Sequence, residues 1–504
     1  MSEQPALKSE SKAPPSADWR QREIRLAFTS ALKLGSSLIF TWAIALVPRL
    51  YIPRFLGPER FGMLNFADAF TSAAFVLLGL GIDTYVRKEI AVRPEHANDF
   101  VAGVVMVRMA LTILVYACMA IVLHVTHRGA EVRTLVYIYG IAKFFCVGSG
   151  TSAGLLQARG RVNEMSVLSV VTKLTWAAGI FVSIVLRLPL WAFGLAVVLS
   201  EGLNSLILFK LAKQHLKFGW HVDIGITLSV IVASLPFFVA SLATTVYDKI
   251  GTSLLAIIMN DKEVGWYGAA SALAGMTLML VPAVAWVLIP LFARSAAVSE
   301  EDFYVVLRRS IEFILAVSIP LSLMMIVGSE TWIYILFGNK FGPASSSLRV
   351  LATATVVMYL SIIAGNALAV LNLTWRMSLV FVGGMVLNPT LNYVFIRHAA
   401  TSQIAGSGGA ACATATLVTE LAIAGFLLAM LGRRVVDRRL VQNATKSIAI
   451  AAAVVALDAI VFRRLGTTAR LVFDLGLYGL AVLATGALDI NGMIGMVRAS
   501  RRKT

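Results

Sequence analysis

The sequence predicts an all-α polytopic membrane protein of about fourteen transmembrane helices, two parallel six-helix lobes plus two C-terminal helices, on three observations. Hydrophobic residues make up 58% of the 504 and charged residues only 14%, with a mean hydropathy of +0.81, against roughly 45–50% apolar residues in soluble domains. Apolar runs of about 20 residues, enough to cross a hydrocarbon core of about 30 Å, follow one another from residue 27 to residue 495. A polar turn, a glycine and a small-residue helix recur in the same order in both halves of the chain.

The elements follow in order. Residues 1–25 are polar, Ser- and Pro-rich and lack the apolar core of a signal peptide, so they are expected to form a disordered cytoplasmic tail that runs into an interfacial helix near Trp19. The spans then read 27–52, 61–82, 99–123, 134–157, 163–186 and 190–209 for the first lobe (26–215). The second lobe (216–432) takes 226–258, 264–292, 305–328, 344–370, 375–397 and 404–431, and the segment 433–504 takes 443–462, 470–495 and a cytoplasmic C-terminus. With the N-terminus inside, the cytoplasmic segments carry about twice as many Lys and Arg as the outer ones, Arg49, Arg54 and Arg60 counting with the outer turn. Both termini are therefore expected in the cytoplasm. The formal charge of +17 belongs to these loops, so nucleic acid is not an expected partner.

Between the first two spans, Pro53 and the Gly57-Pro58 pair are expected to end one helix and start the next. Setting Leu56–Ala69 (LGPERFGMLNFADA) over Met259–Ala272 (MNDKEVGWYGAASA) without a gap pairs Gly62 with Gly265, Ala67 with Ala270 and Ala69 with Ala272. An even number of spans separates the copies, which makes the two lobes parallel repeats about an axis along the membrane normal. Pro48, Pro236, Pro282, Pro320 and Pro389 lie within spans and permit bent helices.

Some charges lie where the bilayer should be. Lys33, Arg108, Lys143, Lys173, Lys249 and Arg349 fall inside predicted spans, and a mid-membrane cation costs about 2.5–3.5 kcal/mol on the most lenient scale. Arg349 is near enough to a helix end to snorkel. The anions within reach are Asp68 and Glu201 in the first lobe, Asp248 and Glu420 in the second, so the first lobe is net cationic and the second balanced. One reading is a cationic cavity for a multiply charged anion such as a diphosphate, lined by Lys33, Arg108, Lys143, Lys173 and Lys249; the other is structural ion pairing. Asp248, Glu420, Glu201 and Asp68 are the candidates for proton or sodium coupling. Lys249 is expected to point away from its chain neighbour Asp248. Asn388 and Asn392, one turn apart, are expected to bond between helices.

Other chemistry finds little support. There is no G-x-x-x-x-G-K-[ST] loop for ATP, and His124 and His127 lack a third metal ligand nearby. Cys118, Cys146 and Cys412 lie apart in apolar runs, without a disulfide framework. No cofactor is expected and no catalytic residue is assigned. An integral-membrane glycosyltransferase or polymerase would carry a large loop with clustered carboxylates, and no loop here exceeds about twenty residues.

Several patches in the right order resemble the Wzx-type polysaccharide flippases of the MATE-like MOP exporter superfamily. They are RFLGPERFGMLNFADAF (Arg54–Phe70), GLGIDTYVRKEIA (Gly79–Ala91), LLQARGRVNEMS (Leu155–Ser166), VYDKIGTSLLAIIMNDKEVGWYGAA (Val246–Ala270), ILFGNKFGPASSSLRVLA (Ile335–Ala352) and LNPTLNYVFI (Leu387–Ile396). The resemblance spans about residues 30 to 430 and places Arg54, Gly57, Pro58, Glu59, Gly62, Arg87, Glu89, Asp248 and Gly265 on motif positions. It implies a transporter rather than an enzyme, one that carries an undecaprenyl-diphosphate-linked oligosaccharide across the bacterial cytoplasmic (inner) membrane by alternating access, coupled to a proton or sodium gradient. It also implies membrane lipid, a polysaccharide polymerase and chain-length or export proteins as partners. A peptidoglycan-precursor or drug exporter of the same superfamily stays open as the alternative.

Overall fold

The computed structural model describes residues 17–83, 97–158, 162–215, 223–432, 434–435, 437–460 and 467–485. All regular structure among them is helical. The helices are α1 (Ala17–Gly79), α2 (Ala97–Val125), α3 (Ala130–Ala158), α4 (Val162–Val185), α5 (Leu190–His215), α6 (Ile224–Ile258), α7 (Asp261–Thr277) and α8 (Val281–Val298). They continue with α9 (Glu300–Val327), α10 (Ser329–Phe337), α11 (Ala344–Val370), α12 (Thr374–Ser402), α13 (Ser407–Leu431), α14 (Arg438–Ile460) and α15 (Thr467–Ala484).

The first two predicted spans lie in one bent element. Helical φ/ψ continue through Pro48 and Pro53, and α1 breaks only at Gly57, with φ 74 and ψ 171. The fixed φ of proline is compatible with a helix, although the residue lacks a donor and its ring crowds the carbonyl four residues back, whereas a positive φ is open chiefly to glycine. Pro58 then opens the second limb, where its missing N–H has no intrahelical acceptor to lose. At the other end α1 starts at Ala17, beside the helix start expected near Trp19, and no Gly or Pro interrupts residues 17–34.

Among the described residues nine helices are long and apolar enough to cross a membrane, or ten when the two limbs of α6, bent by 54° around Pro236, count as one span. The predicted span 264–292 is divided into α7 and α8 by a 3₁₀ turn at Leu278–Leu280. The last two predicted spans meet α14 and α15, and residues 486–495 of the predicted span 470–495 lie outside the described residues.

The helix neighbours repeat. In the first half α1 packs on α3 and α4, and α5 on α3 and α4; in the second, α11 packs on α7 and α13, and α12 on α6 and α13. The accessory pair α14 and α15 sits against α9. Between the halves, α1 crosses α7 and α6, and here the residues aligned by the sequence repeat meet one another. A Cβ on Gly62 would lie 1.7 Å from the Asp261 carbonyl oxygen, and one on Gly265 would lie 1.9 Å from the Pro58 oxygen. Pro58 and Asp261 are themselves aligned, so the contact is reciprocal, as expected where a pseudo-two-fold axis passes. Glu59 and its counterpart Lys262 approach to 3.8 Å. Arg128, in the α2–α3 turn, adds a bond to Asp261 at 3.0 Å and lies 4.5 Å over the Phe66 ring.

A buried carboxylate that the motif reading passed over as part of a turn ties α7 to α13. Glu263 accepts from the backbone N–H of Gly406 at 2.6 Å and of Gly409 at 3.0 Å, meeting the unpaired donors and the positive end of the α13 dipole.

Candidate translocation site

Arg108 does not join a cavity. Its five N–H donors meet five acceptors: Nε donates to the Leu78 carbonyl at 2.9 Å, Nη1 to the Val147 carbonyl at 3.1 Å and Thr151 Oγ1 at 2.6 Å. Nη2 donates to the Gly79 carbonyl at 2.9 Å and Asp83 Oδ1 at 3.1 Å. A guanidinium has no sixth donor, so this side chain caps the C-terminal carbonyls of α1 and pins α2 and α3 to it. Sequence reasoning missed Asp83 because it lies just past the predicted span 61–82. Arg108→Lys concentrates the donors on one atom and is expected to cost about 2–3 kcal/mol, read as a lower Tm of the purified protein with flux per folded molecule unchanged.

Lys143 and Lys249 meet at the seam between the halves. Lys143 of α3 pairs with Asp68 of α1 at 2.8 Å. Lys249 of α6 pairs with Asp248 at 3.1 Å, contrary to the expectation that the two point apart: adjacent helical residues do diverge, but a four-carbon stem lets the ammonium double back. Asp248 is 66% exposed at the side chain although it lies deep within α6, so it opens onto space. Asp68 is within electrostatic reach of Lys143, Lys249 and Arg49, and Lys249 within reach of Asp248, Asp68 and Arg49. The three cations and two carboxylates form one network with an excess positive charge. Arg49, which the topology count placed with the outer turn, stands in α1 before the Gly57 break.

Further along α3, Lys173 of α4 and Glu201 of α5 come within electrostatic reach of the Cys146 thiol, as do Asp83 and Lys143. Cys146 is exposed and one turn from Lys143, so the network continues down the same face of α3. The Lys33 side chain lies outside the described residues, as do Arg87 and Glu89.

Glu420 stands apart. It is buried in α13 and accepts from the Tyr247 hydroxyl of α6 at 2.5 Å and Ser361 Oγ of α11 at 2.9 Å. The expected charge balance of the second half does not pair it with Arg349, which bonds Glu330 at 2.6 Å instead. Beside it Asn388 donates to Thr419 Oγ1 at 3.3 Å and accepts from Asn392 Nδ2 at 2.8 Å. Of that pair, Asn388 bonds between helices; the Asn392 amide also fills the space that Gly251 of α6 leaves open.

A bent-helix bundle with nine or more apolar spans among the described residues, in which two halves meet along α1, α6 and α7 with charges gathered on that seam, is the architecture of a multi-pass membrane protein. The fold agrees with two solved transporters: "Lipid II flippase MurJ, inward closed conformation", at a TM-score of 0.68 and 13% identity over 89% of this chain and 97% of that one, and an inward-facing "multidrug resistance MATE family transporter of the MOP superfamily", at 0.57 and 14% over 80% and 94%. Residues 29–296 match the family described as "Polysaccharide biosynthesis protein", to which the chain belongs. A curated relative, "Probable low-salt glycan biosynthesis flippase Agl15" of Haloferax volcanii, is 23% identical over 394 residues, 77% of this chain and 80% of its own length. The Wzx-type resemblance read from the motifs and the all-α polytopic fold agree with these findings.

Proposed function

We propose that this chain flips an undecaprenyl-diphosphate-linked oligosaccharide from the inner to the outer leaflet of the bacterial cytoplasmic membrane, for surface polysaccharide synthesis. The observation that carries the reading is the seam network: Lys143 and Lys249, one from each half, held by carboxylates at mid-span and sharing Asp68. Family membership and the flippase relative support a glycan pathway.

A diphosphate cannot shed its water into hydrocarbon without replacement charges. Entering the seam, it takes the two ammonium groups and Arg49 from Asp68 and Asp248, exchanging ion pairs rather than creating them, while its polyprenyl tail stays in lipid. The lobes 26–215 and 216–432 then rock about the α1–α7 contact, with 433–504 carried outside the repeat and both termini in the cytoplasm. The polymerase and chain-length or export proteins act on the delivered unit.

Glu420 is the group we assign to ion coupling, because it is buried with two hydroxyl donors and, among the described residues, no cation beside it; Asp248, Asp68 and Glu201 serve the seam instead. Glu420→Gln keeps the shape and removes the charge, so flux is expected to lose its dependence on the proton or sodium gradient. A retained gradient dependence in that variant rejects the assignment.

Depleting the protein is expected to leave lipid-linked oligosaccharide in the inner leaflet and remove the surface polymer. If peptidoglycan precursor accumulates instead, the substrate is the one carried by the alternative exporter.

A further inference from the structure

The accessory helices carry a charge cluster that transport along the seam does not use. Arg470 of α15 forms a two-pronged ion pair with Asp458 of α14, Nε to Oδ1 at 2.7 Å and Nη2 to Oδ2. One turn along α15, Asp474 lies within hydrogen-bond reach of Asp458 and electrostatic reach of Arg470. Asp458 is 5% exposed and Asp474 1%. Among the described residues both carboxylate oxygens of Asp474 lack a hydrogen-bond donor, while Tyr478, buried one further turn along, has its hydroxyl within reach of Ser447.

The neighbouring charges do not resolve this. Glu330 of α10 is within electrostatic reach of Arg470 and adds negative charge. Glu312 of α9 and Lys446 of α14 are engaged near the opposite end of the helix pair, with Asn443 and the Thr485 carbonyl. Among the described residues two buried carboxylates therefore share one guanidinium, and a buried unpaired carboxylate is neutralised rather than left charged. Two carboxyl groups within hydrogen-bond reach form a bond only when one of them carries a hydrogen.

We propose that Asp474 and Asp458 form a proton-binding site in the accessory helix pair, one proton shared between the two carboxyl groups and clasping α15 to α14. Such a pair titrates as a unit. Loss of the proton leaves two adjacent anions on one arginine, and the clasp opens.

The test uses the purified full-length protein in lipid nanodiscs and needs no transport substrate, so it stands or fails apart from the flippase reading. Infrared spectra recorded from acid to alkaline pH are expected to show the C=O stretch of a neutral carboxylic acid that Asp474→Asn reduces by one carboxyl equivalent and Glu420→Gln does not reduce at that component. In parallel the wild-type Tm is expected to fall as pH rises through the titration of that component, and the Tm of Asp474→Asn to stay flat across it. Should Asp474→Asn fail to fold, Asp458→Asn gives the same infrared readout, since the shared proton needs both partners. An unchanged band in the variant that folds overturns the proposal. So does a wild-type Tm that responds to exchanging sodium for choline at constant ionic strength while Asp474→Asn does not, which makes the bound species a metal cation.

Discussion

Gly265→Ala is expected to disrupt the seam as severely as any single methyl group in this protein, lowering both Tm and flux. The added Cβ falls 1.9 Å from the Pro58 carbonyl oxygen and within 3.0 Å of the Pro58 Cα, backbone atoms that cannot rotate aside like a side chain. The helices must part instead. Overpacking a tight contact costs about 1–3 kcal/mol, and the parting also strains the Glu59–Lys262 and Arg128–Asp261 bonds beside it. Because the contact is reciprocal, Gly62→Ala is expected to do the same through the Asp261 carbonyl. The double variant is then expected to cost less than the sum of the two, since the first substitution already separates the helices. Thermal unfolding in nanodiscs measures all three; a Gly265→Ala protein with wild-type Tm and flux contradicts the contact.

The second large effect is expected from Lys143→Ala combined with Lys249→Ala. A hydrogen bond to a charged group contributes about 1.5–3 kcal/mol, so two lost phosphate contacts correspond to about a 10²–10⁴-fold fall in flux. Protein levels should hold, because both side chains are part-exposed and their carboxylate partners can take up water. The pair Lys143→Ala with Lys173→Ala is expected to cost less, since Lys173 is not among the charges that act on Asp68. Normal delivery of lipid-linked oligosaccharide to the outer leaflet in the Lys143/Lys249 variant removes the seam from the mechanism.

The motif reading found the Gly62/Gly265 pair by aligning the halves, but it could not say that the two glycines touch. The same limit explains Arg108 and Asp83. Depth in a span marks a cation as costly, and only the fold shows whether the cost is met by a ligand or by four acceptors from α1 and α3 together with Asp83. Arg49 follows a related rule: a topology count assigns a charge near a proline turn to the loop, whereas α1 continues through Pro48 and Pro53 to Gly57 and holds Arg49 within a helix.

What the sequence by itself determined is the membrane class, the all-α fold and the order of its helices; the repeat and the charges set deep in the spans it offered as expectations. These depend on apolar length, turn chemistry and charge, which act over a few neighbouring residues. What only the tertiary structure decided is which charges share a space. Lys143 meets Asp68, Lys249 doubles back on Asp248 within reach of Asp68, Glu420 is left with two hydroxyls, and Asp474 is set beside Asp458. Electrostatic energy depends on distance and burial rather than on separation along the chain, so those partnerships exist only once the helices have packed.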